Sequence, residues 1–268
     1  MSLIKIPEYL HNPRHSISVA LVGAGGNGSE MLTKLGRMAY TLNAVYGRDL
    51  FVTLIDPDTV EEPNLGRQLF CASDLGRFKS DVLIERVNRF YGTNWVSNPK
   101  AVEKSDLKSN LVISCTDNVA SRKLIHDNLR YTHDLYYRHE YATYFWLDMG
   151  NDFTSGNIIL SSKCKEIKTY MPDAFEIFGD IKDNPSRPSC SLAEAIEKQH
   201  LLVNPFVADL ASTLLWEVLT KPEIDYQGIY FDLNAMRVRK VPAGYYIKPK
   251  KKKCKTQRTE TPLALARA

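Results

Sequence analysis

The 268-residue chain predicts an α/β fold, with a parallel sheet in its first half continuing into a mixed, antiparallel sheet in its second. Three features of the pattern carry this reading. Short apolar runs alternate with amphipathic helical stretches up to about Leu129, as expected for a parallel sheet covered on both faces. A glycine cluster stands between the first apolar run and the first helical stretch. From about Tyr144 onward, apolar runs follow one another around short polar turns.

The elements follow in order from periodicity. Ile17–Val22, rich in β-branched residues and ending at Gly23, reads as a strand. Glu30 to about Tyr46 is a helix with Met31, Leu32, Leu35 and Met38 on one face. Leu50–Ile55 is the second strand, stopped by Asp56-Pro57-Asp58. Ser80–Tyr91 is helical, with Val82, Leu83, Val87 and Phe90 in its stripe. Leu111–Cys115 is a third strand, followed by Thr116-Asp117-Asn118 and a helix through Leu129. Tyr144–Met149 and Gly156–Leu160 read as antiparallel strands about a Gly150-Asn151 turn region. A Pro- and Asp-rich loop spans about Tyr170–Cys190, before helices at Leu192–His200 and Pro205–Leu219. The latter has Phe206, Leu210, Leu214 and Val218 as its buried face. Ile229–Asp232 and Met236–Val241 form a final hairpin around Leu233-Asn234-Ala235. Residues 1–247 form one domain and residues 248–268 a tail.

Composition bounds the class. At 44% hydrophobic and 25% charged the chain is ordinary globular protein, which excludes disorder over most of its length. No apolar run approaches the roughly 18 residues of a membrane span, and the N-terminus lacks the apolar core of a secretory signal. Cys71, Cys115, Cys164, Cys190 and Cys254 are scattered with no CxxC pair, arguing for a reducing, cytoplasmic setting and against a disulfide framework or zinc site. The net charge of +4 divides unevenly: from Lys248 onward eight Lys and Arg face one acid, so the body is slightly acidic. The tail KPKKKKCKTQRTETP reads as a solvated appendage, with electrostatic docking onto nucleic acid or an acidic partner as the alternative.

Gly23-Ala24-Gly25-Gly26-Asn27-Gly28 follows the first strand and opens the first helix, the context in which GxGxxG has physical meaning. Glycines let a phosphate approach the backbone, and the helix start offers free N–H groups at the positive end of its dipole. Asp56 ends the second strand, where a carboxylate holds ribose hydroxyls, although it lies 28 residues after Gly28 and the usual spacing is about 20. A nicotinamide-dependent dehydrogenase is compatible with these residues alone. The segments after Asp56 favour phosphate chemistry instead. Asn64, Arg67, Gln68 and Lys79 place amides and cations near the glycine loop, and Asp117 puts a carboxylate past the third strand. Fixed cations and Mg²⁺ suit charge developing on phosphate oxygens, and a hard carboxylate suits Mg²⁺.

These motifs together resemble the ThiF/MoeB/E1 superfamily of ubiquitin-like-protein activating enzymes. The chain carries GxGGxG at Gly23–Gly28, DxDxVExxNLxRQ at Asp56–Gln68, DxGxxK at Asp74–Lys79 and CTDN at Cys115–Asn118. The segments WLDMGN (Trp146–Asn151) and RPSCSLAEAIEKQ (Arg187–Gln199) resemble the prokaryotic branch, in particular the ThiF-family proteins of PRTRC gene systems. The resemblance implies a Rossmann-like adenylation fold and ATP- and Mg-dependent adenylation of the C-terminal carboxylate of a small ubiquitin-like protein. It implies that Gly23, Gly25, Gly26 and Gly28 cradle ATP, that Asp56 holds the ribose, and that Asp58 helps set the Mg²⁺ and nucleotide pocket. Asn64, Arg67, Gln68 and Lys79 would contact phosphates, and Asp117 would bind Mg²⁺. The family's paired CxxC zinc motifs are absent, so no zinc is expected. Its N-terminal arginine helix is absent too, so Arg14 receives no role in a partner's site and a homodimer is left open.

Cys190 precedes Ser191-Leu192-Ala193-Glu194, a capping box that opens a helix whose positive end would favour a thiolate. By position it resembles the family's thioester or sulfur-transfer cysteine, which would pass the activated protein to an E2-like partner; an inert loop cysteine is the plain alternative. Cys115 reads as core, His126, His133 and His139 as surface or structural, and the aromatics from Tyr131 to Trp146 as packing. Beside the E1-like reading stand a catalytically silent nucleotide-binding adaptor and a sulfur-carrier adenylyltransferase for cofactor biosynthesis.

Overall fold

The computed structural model describes residues 2–135, 142–179 and 200–246; side chains of residues 130–135 are not described. Its centre is an eight-stranded mixed sheet. The strands and helices, in chain order, are β1 (Ile4–Lys5), β2 (Ile17–Val22), α1 (Gly26–Tyr46), β3 (Leu50–Ile55), α2 (Lys79–Tyr91), β4 (Val96–Asn98), β5 (Leu111–Ser114) and α3 (Val119–Leu135). Then follow β6 (Phe145–Asn151), β7 (Ser155–Ser161), α4 (Ala174–Phe178), α5 (Val203–Thr220), β8 (Glu223–Ile224), β9 (Tyr226–Asp232) and β10 (Arg237–Pro242). Sheet order is β10-β9-β7-β6-β5-β2-β3-β4, while β1 and β8 make a separate two-stranded ribbon.

The five strands from β4 to β6 are parallel, and β6-β7-β9-β10 are antiparallel. The expected change from parallel to antiparallel pairing therefore falls at β6. Its cause is the short polar turn after Asn151, where the Asp152 N–H donates to Ser155 O at 2.8 Å and sends β7 straight back.

Two apolar layers sandwich the sheet. Met31, Leu32, Leu35 and Leu42 of α1, Val82, Leu83 and Val87 of α2, and Val207, Ala211, Leu214 and Val218 of α5 cover one face. Ile125 and Leu129 of α3 cover Ala20, Val22, Val112 and Trp146 on the other. β2 pairs in parallel with β3 on one side and with β5 on the other, and the carboxyl ends of strands at such a switch in strand order are where open α/β sheets bind their ligands.

Several expectations need correction. The first helix begins at Gly26 rather than Glu30, because the glycine cluster itself enters the first turn. Phe90 is 80% exposed and stacks edge-on against Tyr91; Ile84 takes its place in the buried stripe. Gly150 and Asn151 pair within β6, and the turn lies beyond them. The Tyr170–Cys190 stretch contains α4, capped by the Asp173 carboxylate on the Glu176 N–H. Phe206 and Leu210 are only half-buried, since the inward stripe of α5 is rotated to Val207 and Ala211. Residues 192–199 of the expected Leu192–His200 helix, Cys190, Cys254 and the 248–268 tail lie outside the described residues, and His200 itself is not helical. Among the described residues, no helix is long and apolar enough to cross a membrane.

Candidate functional site: a nucleotide crevice

The crevice is built on the turn from β2 into α1. Gly23 has φ +97°, and a Cβ there would stand 2.9 Å from Cys115 O, so this strand end passes tightly beside the end of β5. A Cβ on Gly28 would fall 1.9 Å from Gly23 O, and one on Gly26 would strike the Asn204 amide of α5. Gly25 differs. Its φ of −74° suits any residue, and nothing lies within 4 Å of its absent Cβ. The protein's own packing makes no demand for glycine at 25; open space above the first-turn amides of α1 does fit a phosphate.

Asp56 locks this turn. Its Oδ2 accepts the Ala24 N–H at 2.6 Å and its Oδ1 the Asp58 N–H at 2.8 Å. Burial pushes the Asp56 carboxyl above its usual range, while these two N–H groups and the Lys79 charge pull the other way without cancelling it.

The segment after β3 folds back on itself. The Val60 N–H donates to Arg77 O, the Lys79 N–H to Asp58 O and the Ser80 hydroxyl to Asp56 O. This lays the start of α2 along Asp56–Val60 and puts Lys79 Nζ 3.1 Å from Asp58 Oδ2. Lys79 is 9% exposed at its side chain and Asp58 64%, so the ammonium is sheltered and its partner wet. Asp74, first residue of the DxGxxK motif, stays out of the crevice. It accepts from the Cys71 N–H and from Arg86, and so shapes the loop that delivers Lys79.

Asn64, which ends the 3₁₀ turn Glu62–Asn64, and Gln68, in the loop after it, are both buried. Asn64 Oδ1 accepts the Glu61 N–H at 2.9 Å, and Asn64 O accepts the Gln68 N–H at 2.9 Å. Gln68 Oε1 is buried with no hydrogen-bond partner among the described residues. The Leu69 N–H reaches Ser29 Oγ at 3.4 Å, tying this stretch to the first turn of α1. Burial depresses the pKa of the Arg67 guanidinium, and the Asp117 charge acts on it in the opposite sense, so the two groups lie within electrostatic reach of each other.

Asp117 is exposed, just ahead of α3. Asn118 caps that helix, its Oδ1 accepting the Ala120 and Ser121 N–H groups. In Cys115–Asn118 the final Asn thus starts a helix and the preceding Asp stands free of it. Cys115 is buried, its thiol pKa pushed far up by burial and by Asp148, which suits a core residue and no nucleophile. His126 is buried with Nδ1 2.8 Å from Asp173 Oδ2, a structural contact between α3 and the cap of α4.

One strand of the site had received no residue roles from sequence. Asn151, ending β6, accepts from the Asn27 amide at 2.8 Å, bracing the glycine loop. Asp148, also on β6, binds Ser114 and Arg122. Their only signal in the sequence was the segment WLDMGN. No group of three or more metal-ligating side chains occurs among the described residues. One exposed carboxylate, such as Asp117, is a hard oxygen ligand that fits Mg²⁺ when phosphate oxygens complete the set.

A family profile described as ThiF family matches residues 10–256. "Adenylyltransferase and sulfurtransferase UBA4" of Yarrowia lipolytica is 36% identical over 116 residues, covering 41% of this chain and 27% of that protein. "NEDD8-activating enzyme E1 catalytic subunit" of Dictyostelium discoideum is 27% identical over 125 residues, covering 44% of this chain and 26% of that protein. The matches thus span about a quarter of these curated relatives' length. Among solved structures, E. coli MccB with ATP superposes with a TM-score of 0.59 at 17% identity, over 88% of this chain and 66% of that one. PaaA gives 0.60 at 14%, over 87% and 66%. These likenesses establish the shared fold.

Proposed function

The chain belongs to the ThiF family, and on that premise we propose that it is an ATP-dependent, E1-like adenylyltransferase acting on the C-terminal carboxylate of a small ubiquitin-like protein. One observation carries the reading. Asp56 accepts the N–H groups of both Ala24, beside the open glycine at 25, and Asp58, whose carboxylate stands 3.1 Å from Lys79 Nζ, so the glycine turn and the cation are tied through one residue.

In this reading ATP lies with its phosphates over Gly23–Gly28 and its ribose toward Asp56. The substrate carboxylate oxygen attacks the α-phosphorus, the bond to the bridging oxygen breaks, and pyrophosphate leaves with its electron pair. No proton changes hands, so the chain needs to orient the reactants and stabilise charge rather than supply a base. Lys79 and Arg67 meet the charge growing on the leaving oxygens, with the amide N–H groups of Asn64 and Gln68 positioning the phosphates. Mg²⁺, when bound, supplies further neutralisation of the phosphates, and Asp117 is the residue that would hold it.

The substrate and the later steps belong to the same proposal. Cys190 Sγ would attack the acyl adenylate, releasing AMP and leaving a thioester for transfer to an E2-like protein. The segments WLDMGN and RPSCSLAEAIEKQ support a PRTRC-type setting for these partners. A sulfur-carrier substrate is the second reading, favoured by the sulfurtransferase name of the UBA4 relatives.

The test is ATP–pyrophosphate exchange with candidate ubiquitin-like proteins encoded beside the gene. Exchange that requires the free C-terminus of one candidate is expected. Tight Mg-ATP binding with no exchange for any candidate would favour the silent adaptor. A thioester trapped with the native chain and lost in Cys190→Ala would establish the thiol step.

A further inference from the structure

The loop Cys115–Asn118 carries Asp117 and is flanked by two residues that share one acceptor. Ser114, the last residue of β5, donates its hydroxyl to Asp148 Oδ1. Arg122, in the first turn of α3, places Nε 3.1 Å from the same oxygen and donates from NH2 to Met149 O at 3.1 Å. Ser114 Oγ in turn accepts the Trp146 indole N–H at 2.8 Å. Ser114 and Trp146 are fully buried, Asp148 is 3% exposed, and the Arg122 side chain 16%. The Nε contact is an ion pair rather than a directed hydrogen bond, while the bond to Met149 O is directional.

From this geometry we infer that Arg122 and Asp148 are a positioning pair for Asp117, holding both ends of its loop to β6 so that the exposed carboxylate is presented to a divalent cation. The inference rests on the proposed reading of Asp117 as the Mg²⁺ residue. An ordinary helix start is held by its cap, and Asn118 already provides one. The additional anchor reaches from the first turn of α3 across to the neighbouring strand and returns to the residue before the loop. A buried carboxylate and a guanidinium are a costly way to join two elements unless the geometry they impose is used. Arg122 has two acceptors at an angle that the guanidinium fork spans and an ammonium does not.

The experiment compares the native chain with the neutral pair Arg122→Gln/Asp148→Asn, which removes both charges together so that neither is left buried alone. Thermal unfolding first establishes that the variant folds. Two affinities are then measured: that of a non-hydrolysable ATP analogue without metal, and that of Mn²⁺ for the analogue-loaded protein by electron paramagnetic resonance. The expected result is analogue affinity unchanged within about twofold and Mn²⁺ affinity lowered by about tenfold or more. Asp117→Asn alone should cause a comparable Mn²⁺ loss, and adding it to the pair should produce little further loss. Unchanged Mn²⁺ affinity in the folded pair, an equal loss of metal-free analogue binding, independent losses in the combined variant, or no Mn²⁺ binding by the native complex would each overturn the inference. If the pair does not fold, Arg122→Lys carries the same comparison and the same outcomes. Mn²⁺ results as expected without pyrophosphate exchange would overturn the adenylation reading and leave the positioning role standing.

Discussion

The Asp56 carboxylate at the end of β3 accepts the backbone N–H of Ala24 at 2.6 Å, so the residue proposed to meet the ribose also holds the glycine loop in shape. Asp56→Ala removes both its N–H contacts. A loss of about 2 kcal/mol of stability is expected from a charge-assisted buried bond, read by urea unfolding, together with weaker nucleotide binding. Full retention of both would contradict the dual role.

The same residue gives a pH dependence of definite sign. Burial raises the Asp56 carboxyl, so the native state keeps its proton to higher pH than the unfolded chain does. Between the unfolded and the raised native value the native state binds more protons, and stability falls as pH rises through that window. The stability of Asp56→Asn relative to the native chain should increase as pH rises across the same window and be flat on either side. Unfolding curves at successive pH values measure it.

Asp74 has the opposite slope. Burial would raise its carboxyl, but the Cys71 N–H and the Arg86 guanidinium outweigh that and hold it below the usual carboxylate range. Its contribution is present above the unfolded pKa and is lost as pH falls through the depressed native value. Arg86→Gln should flatten that acid limb of the stability curve. It should also loosen the loop that delivers Lys79, seen as faster amide exchange over 71–78.

Gly25 and Gly28 separate packing from ligand approach. Gly28→Ala forces a Cβ to 1.9 Å from Gly23 O and should cost about 3 kcal/mol of stability. Gly25→Ala meets nothing, so its stability should stay within about 0.5 kcal/mol of the native chain while nucleotide affinity drops. Calorimetric titration with Mg-ATP beside thermal unfolding distinguishes the two effects.

Lys79 is the cation whose loss should be felt in rate rather than in fold. Its partner Asp58 is largely exposed, so Lys79→Ala should change stability by about 1 kcal/mol or less. Pyrophosphate exchange should fall by about a hundredfold or more, the scale of one preorganised charge partner. Exchange at the native rate would remove Lys79 from the phosphate site.

Much of the fold was legible because the central strands are short, continuous and buried on both faces. Ile17–Val22 and Leu50–Ile55 match their apolar runs residue for residue. The elements that escaped were too short to show a period: the two-residue strands β1 and β8, the three-residue β4, and the five-residue α4. Phe90 misled because periodicity counts an apolar residue as inward, whereas the helix ends one residue later at Tyr91, capped by Gly92, and leaves that ring exposed.

For the site, the sequence by itself determined which chemical groups stand near which strand ends, because glycine, carboxylate and cation motifs follow successive apolar runs. Only the tertiary structure decided how those groups share their work. It divides the glycines between tight packing at 23, 26 and 28 and open space at 25. It turns Asp74 into a scaffold for the Lys79 loop and makes β6 the brace of both the glycine loop, through Asn151, and the Asp117 loop, through Asp148. Those pairs lie 124 residues apart for Asn27 and Asn151 and 34 for Ser114 and Asp148, and no local pattern encodes a contact that exists only after two strands have taken their places in one sheet.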